Sequence, residues 1–225
     1  MENDSKLKIP RGCREFGGTN SAARIRVANE LVEEFVKEVA PPIEFDSRDE
    51  AWTLAVRRRL VEICPKGCYA LPDDPNAAKG EYPVDYLWSE EGNLSRLILA
   101  CQTEWGTGWF GRTNWAPVER ALEKLLAVKA PFKILIFSSC RKPDLLKPET
   151  DFSFEYAKER IELSLRNYPH HLPGEVYIFL DFPQTREANG IGEYRSLRWL
   201  AKKLGKSEVH LEGGEVRGLK RPKES

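Results

Sequence analysis

Apolar residues recur at helical spacing from Ser21 to Val39, where Ile25, Ala28, Leu31, Val32, Phe35, Val36 and Val39 form one stripe before Pro41-Pro42 ends the run. A second helix is expected from an Asp46-Ser47 N-cap to about Cys64, with Trp52, Val56, Leu60 and Ile63 on its buried face. Its Arg57-Arg58-Arg59 triplet points mostly away from that face, as a solvated edge or a phosphate-contacting one. Prolines and paired aspartates between Pro65 and Gly80 mark a connection, with room for a short strand at Cys68 to Leu71. From Glu81 the period changes. Two strand-like runs flank the turn Glu91-Gly92-Asn93, which predicts a β-hairpin.

Beyond the hairpin, Asn114 caps an expected helix with Val118, Ala121, Leu122, Leu125 and Leu126 on its stripe. Phe132 to Phe137 then reads as a buried strand, Phe152 to Tyr168 as a helix, and Val176 to Asp181 as another apolar strand. Tyr194 to Leu204 is expected to be a last helix, and Arg217 to Lys223 a basic frayed tail. Strands alternating with helices require right-handed crossovers between parallel neighbours. The fold class is therefore α/β, a mixed central sheet flanked by helices, in a single domain over 21–215 between a loose tail at 1–20 and a basic tail at 216–225.

The second hairpin run, Leu97 to Glu104, is apolar until it reaches Gln102 and Glu104. Side chains alternate along a strand, so these two share a face, and Asp85 on the partner strand is expected beside them. Carboxylate and amide oxygens gathered in this way suit a hard divalent cation such as Mg2+ or Mn2+.

Composition narrows the alternatives. Lysine plus arginine and aspartate plus glutamate both total 35, so no global field draws the chain to nucleic acid or membrane, and such binding needs a local patch. No apolar run approaches the roughly 20 residues of a transmembrane helix. Five scattered cysteines without a signal peptide predict reduced thiols in a cytoplasmic protein. Cys64 and Cys68 form the one close pair, and no second ligand pair completes a zinc knuckle.

The order helix, hairpin, helix, strand over residues 48–140, with Pro83-Val84-Asp85 on one strand and Gln102-Thr103-Glu104 on the next, resembles the PD-(D/E)XK nuclease superfamily. The resemblance implies a restriction-endonuclease-like core (α-β-β-β-α-β) with an extra N-terminal helix and C-terminal β/α elements. It further implies a magnesium-dependent nuclease acting on DNA or RNA phosphodiesters. Asp85 matches the metal-binding aspartate, although Val84 separates it from the proline. Gln102 stands at the position of a second acidic ligand. Glu104 occupies the place of the catalytic lysine, which makes Lys124 on the following helix the substitute, and Glu62 a candidate for the extra acid of some members.

Two other functions fit parts of the same stretch. A nuclease fold that has lost its lysine can serve as a binding module for nucleic acid or protein, with Trp105, Trp109, Phe110 and Trp115 as stacking or interface groups. Gly106-Thr-Gly108-Trp-Phe-Gly111 matches the dinucleotide fingerprint, and Arg141 offers a contact for the 2′-phosphate of NADP in an oxidoreductase. The two bulky aromatics and the late helix start at Asn114 fit that fingerprint poorly. His170-His171 reads as a loop feature.

Overall fold

The computed structural model describes residues 21–38, 49–73, 83–91, 94–105, 114–139, 152–182, 193–204 and 208–219. Helices α1 (Ser21–Glu38) and α2 (Asp49–Glu62) come first, followed by strands β1 (Tyr69–Leu71), β2 (Tyr86–Ser89) and β3 (Leu97–Glu104). Helix α3 (Trp115–Ala127), strand β4 (Phe132–Phe137), helix α4 (Phe154–Asn167) and strand β5 (Val176–Asp181) alternate after them. Strands β6 (Glu193–Leu204) and β7 (Glu208–Leu219) end the described chain.

All seven strands form one sheet in chain order. The β1–β2–β3 meander is antiparallel, β3, β4 and β5 are parallel, and β6 and β7 return antiparallel. This is the expected mixed α/β sheet with helices on both faces. One face buries Leu31, Phe35, Val56 and Leu60 of α1 and α2 against Trp88, Leu99, Ile134 and Ile178. The other packs Leu122 and Leu125 of α3 and Ile161 and Leu165 of α4 against Leu87, Ala100, Leu135 and Phe179. The central strands β4 and β5 are buried along their whole length, which is why they read as continuous apolar runs.

The end of the chain differs from expectation: Glu193–Leu204 is a strand, not a helix. Leu197, Leu200, Ala201 and Leu204 satisfy helical spacing, but Leu197, Trp199 and Ala201 also satisfy strand alternation and lie together on the α3/α4 face. The open edge of β5 decides between the two, pairing Val176 through Asp181 with Leu200 through Arg195. The expected tail at Arg217 likewise begins inside β7, which runs through Leu219, past the boundary at 215.

The cysteines also depart from expectation. Cys68 is held in a disulfide, so the thiols are not all reduced, whereas Cys64 and Cys101 are free. No helix among the described residues is long and apolar enough to cross a membrane.

Candidate functional site

Strand β3 brings the candidate residues to one end of the sheet. Ala100 packs with the α3/α4 layer and Cys101 with the α1/α2 layer, so alternation returns Gln102 and Glu104 to the α3/α4 face and sends Thr103 to the opposite one. Gln102 is 5 % exposed, and its buried carbonyl oxygen has no hydrogen-bond partner among the described residues. Glu104, half-buried, is the last residue of the strand.

Asp85 lies just before β2, in a bend outside the ladder. One of its carboxylate oxygens accepts from the Thr103 N–H at 2.8 Å and from the Thr103 hydroxyl at 2.7 Å. Burial pushes the neighbouring Cys101 thiol well above its ordinary range, and the charge of Asp85 adds to that rise. Asp85 therefore reaches the end of β3 where Gln102 and Glu104 sit. Its carboxylate engages the intervening residue instead of lying beside them on one face. The physical reason is the open end of the antiparallel ladder, where the Thr103 donors need an acceptor and the bent chain supplies the aspartate.

Lys124 does not join this group. It is exposed in the last turn of α3, a helix that starts beyond the end of β3 and returns toward the start of β4. Nine residues past Trp115, it lies roughly 14 Å along the helix axis from the start of α3. Glu62 is also elsewhere. It is 58 % exposed, pairs with Arg59 at 3.2 Å, and belongs to the helix layer on the other face.

The arginine triplet of α2 is not the solvated edge that its position suggested. Arg58 is exposed, but Arg57 and Arg59 are buried. The Arg57 guanidinium lies over the Tyr86 ring at 5.2 Å, and Arg59 donates to the Glu34 carbonyl at 2.6 and 3.2 Å, which ties α2 to α1. Trp105 and Trp115 are core residues. Trp105 donates to the Thr53 hydroxyl at 2.9 Å, and Trp115 packs edge-on against Phe152 at 5.4 Å and Tyr156 at 6.1 Å. Trp109, Phe110, the Gly106–Gly111 fingerprint and Arg141 lie outside the described residues.

Sequence reasoning missed Asp181. The ladder sets Glu104, Phe137, Asp181 and Arg195 in one row across β3, β4, β5 and β6, at the carboxyl ends of the parallel strands. Asp181 is fully buried and accepts from the Ser139 N–H and hydroxyl, each at 2.7 Å. Burial pushes its carboxyl up to about 6, against the downward pull of the Ser139 hydrogen bonds and the Arg195 charge. The available signal was an acid ending an otherwise apolar parallel strand, since ligands of open α/β sheets bind at the carboxyl ends of strands.

Among the described residues no group of three or more histidine, cysteine or acidic side chains is placed to hold a metal ion. The oxygen set offered here is smaller: the Asp85 and Glu104 carboxylates and the unpartnered Gln102 carbonyl. Its chemistry suits a hard cation. No family model, curated protein or solved structure matches this chain.

Proposed function

We propose that the chain is a divergent magnesium-dependent nuclease-like protein of the PD-(D/E)XK type, acting on nucleic-acid phosphodiesters. The buried Gln102 carbonyl carries this reading. An unsatisfied buried acceptor costs about 1–3 kcal/mol, a cost that a ligand at the end of β3 would offset. Support also comes from the order α2, β1, β2, β3, α3, β4, in which an antiparallel meander precedes a crossover helix and a parallel strand.

In this reading Gln102 and Glu104 would hold the cation from one face of β3, and Asp85, whose carboxylate is turned to Thr103, would join them only through its second oxygen. The metal supplies positive charge for the phosphate oxygens and a more acidic bound water. Thr103 orients Asp85 by occupying one carboxylate oxygen with two donors, leaving the other for the metal. Glu104 stands where the family places a cation, so its role changes from charge neutraliser to ligand. Calorimetric titration with Mg2+ and Mn2+ should show binding to the native protein that is lost in Asp85→Ala and Gln102→Leu. If native protein and both variants alike bind nothing, the metal site is wrong.

A non-catalytic nuclease-fold module is the second reading, favoured by Glu104 at the lysine position and by Lys124 at the far end of α3. Metal-dependent cleavage of single- and double-stranded DNA and RNA separates the two. Metal binding without cleavage selects the module.

A further inference from the structure

At the amino end of the sheet, where β4 and β5 begin, buried polar groups answer one another. The Lys133 ammonium lies 3.2 Å from one Glu175 oxygen, and Tyr177 donates to the other at 2.6 Å. The two ring nitrogens of His171 lie 2.7 Å from the Tyr177 hydroxyl and 2.7 Å from the Leu165 carbonyl. All four residues are buried, so His171 belongs to the packed layer, although its sequence position suggested a loop feature. The carboxyl end is different, because buried polar groups there have no partner among the described residues.

Two such groups belong to the α3/α4 face. The Gln102 carbonyl oxygen is an acceptor without a donor, and the Trp115 indole N–H is a donor without an acceptor, in residues only 5 % and 4 % exposed. Had the two atoms met, each would satisfy the other; left apart, the first suits a cation and the second an oxygen acceptor. Trp115 is the first residue of α3, and helical side chains lean toward the N-terminus, so its indole lies at the positive end of the helix dipole. There the Asn114 side chain occupies the Ala116 N–H, Pro117 has none, and no acidic residue stands in the first turn. The start of α3 therefore offers the backbone and indole N–H groups of Trp115, and the dipole favours a negative acceptor. The start of α4 carries Glu155 and is the poorer anion end.

Ring contacts bring Trp115 to the row that contains Glu104. Its ring meets Phe152 at 5.4 Å, Phe152 meets Phe137 at 6.3 Å, and Phe137 is the ladder partner of both Glu104 and Asp181. Arg195 ends the same row. Its guanidinium lies over the Phe154 ring at 5.0 Å, is partly exposed, and makes no hydrogen bond or ion pair among the described residues. The Asp181 oxygens beside it are turned to Ser139. A guanidinium fixed by stacking, with its donors uncommitted, matches the oxygens of a phosphate. Three strand spacings, about 14 Å, separate the backbones of Glu104 and Arg195, so Arg195 suits a phosphate next to the one that Trp115 meets.

We propose, on the nuclease-like reading of this end of the sheet, that it holds the phosphate backbone of a nucleic-acid strand, with Trp115 at the start of α3 receiving the phosphate nearest the cation and Arg195 receiving a neighbouring one. Acceptors and donors then divide the work. Gln102 and Glu104 face the cation, whereas Trp115 and Arg195 face phosphate oxygens and fix the strand in register without taking part in bond making.

The assigned indole N–H signal of Trp115, followed by two-dimensional NMR of the full chain, reads the first contact. A short single-stranded oligodeoxynucleotide should move it to saturation, in chelator or with Mg2+, and a signal unmoved under both conditions overturns the proposal. Inorganic phosphate fills one position of the two and should act only at higher concentration. A shift with phosphate at the same or lower concentration assigns the site to free phosphate and overturns the nucleic-acid strand. Arg195→Gln reads the second contact: it should bind a labelled oligodeoxynucleotide about tenfold more weakly, with a salt dependence smaller by about one phosphate contact. Equal affinity and equal salt dependence in the two proteins overturn the role of Arg195. Should the variant fail to fold, the Trp115 signal of the native chain decides. Mg2+ binding is read separately by calorimetry, so failure of the cation site and failure of the phosphate contacts are told apart.

Discussion

Asp85 and Asp181 perform the same local task on either side of the β3–β4 pair. Each gives acceptor oxygens to the backbone N–H and hydroxyl of a serine or threonine, Thr103 on β3 in one case and Ser139 just past the end of β4 in the other. Their surroundings make them chemically unlike: Asp85 is partly exposed, whereas Asp181 is sealed and its carboxyl is raised to about 6. A carboxyl raised on folding stabilises the protein below the unfolded value and loses that contribution as pH climbs through the folded value. Asp181 should therefore make the native protein less stable by at most about 3 kcal/mol as pH goes from about 4 to about 7. Asp181→Asn should remove that slope, as denaturant titrations at several pH values would show. An unchanged slope would mean that the carboxyl is not raised.

Short elements follow their local signals here when one period is available and their surroundings when two are. Helix α3 has an unambiguous start, the Asn114 side chain accepting from the Ala116 N–H at 3.1 Å. Replacing Asn114 by alanine should cost about 1 kcal/mol in unfolding free energy without altering the fold, measurable by chemical denaturation. Strand β6 is the opposite case, because Leu197 to Leu204 suits a helix or a strand equally and the unpaired β5 edge settles the matter. The arginine triplet of α2 shows the same limit. Periodicity turns it outward, yet Arg57 has the Tyr86 ring and Arg59 the Glu34 carbonyl within reach. Long basic side chains bury their stems along apolar surface, and their destination depends on what stands opposite.

Across the whole molecule, one sheet separates two groups of polar residues. The carboxyl ends of β3, β4 and β5 carry Gln102, Glu104 and Asp181, whereas their amino ends carry the Lys133, Glu175, Tyr177 and His171 cluster. If cation binding belongs to the first end, metal must stabilise the native state by mass action. At a hundredfold excess over the dissociation constant the gain is about 2.7 kcal/mol. Thermal melts of the native protein should rise with Mg2+ concentration, and those of Asp85→Ala should not. A rise of equal size in both would place the cation elsewhere.

The sequence by itself determined the elements that bury a complete face or stripe. Phe132–Phe137 and Val176–Asp181 have the limits read from the chain, and α1, α3 and α4 lie within one or two residues of theirs, because continuous apolar runs and helical stripes are local properties. It also brought Asp85, Gln102 and Glu104 to one end of one hairpin, since alternation and a single turn relate them. Tertiary structure alone decided that Asp85 answers Thr103, that Lys124 lies toward the other end of α3, and that Asp181 joins the row of Glu104. It alone assembled His171 with Lys133, residues 38 positions apart in the chain. Such pairings depend on which strands become neighbours and which donors are left open there, quantities that exist only once the sheet has formed.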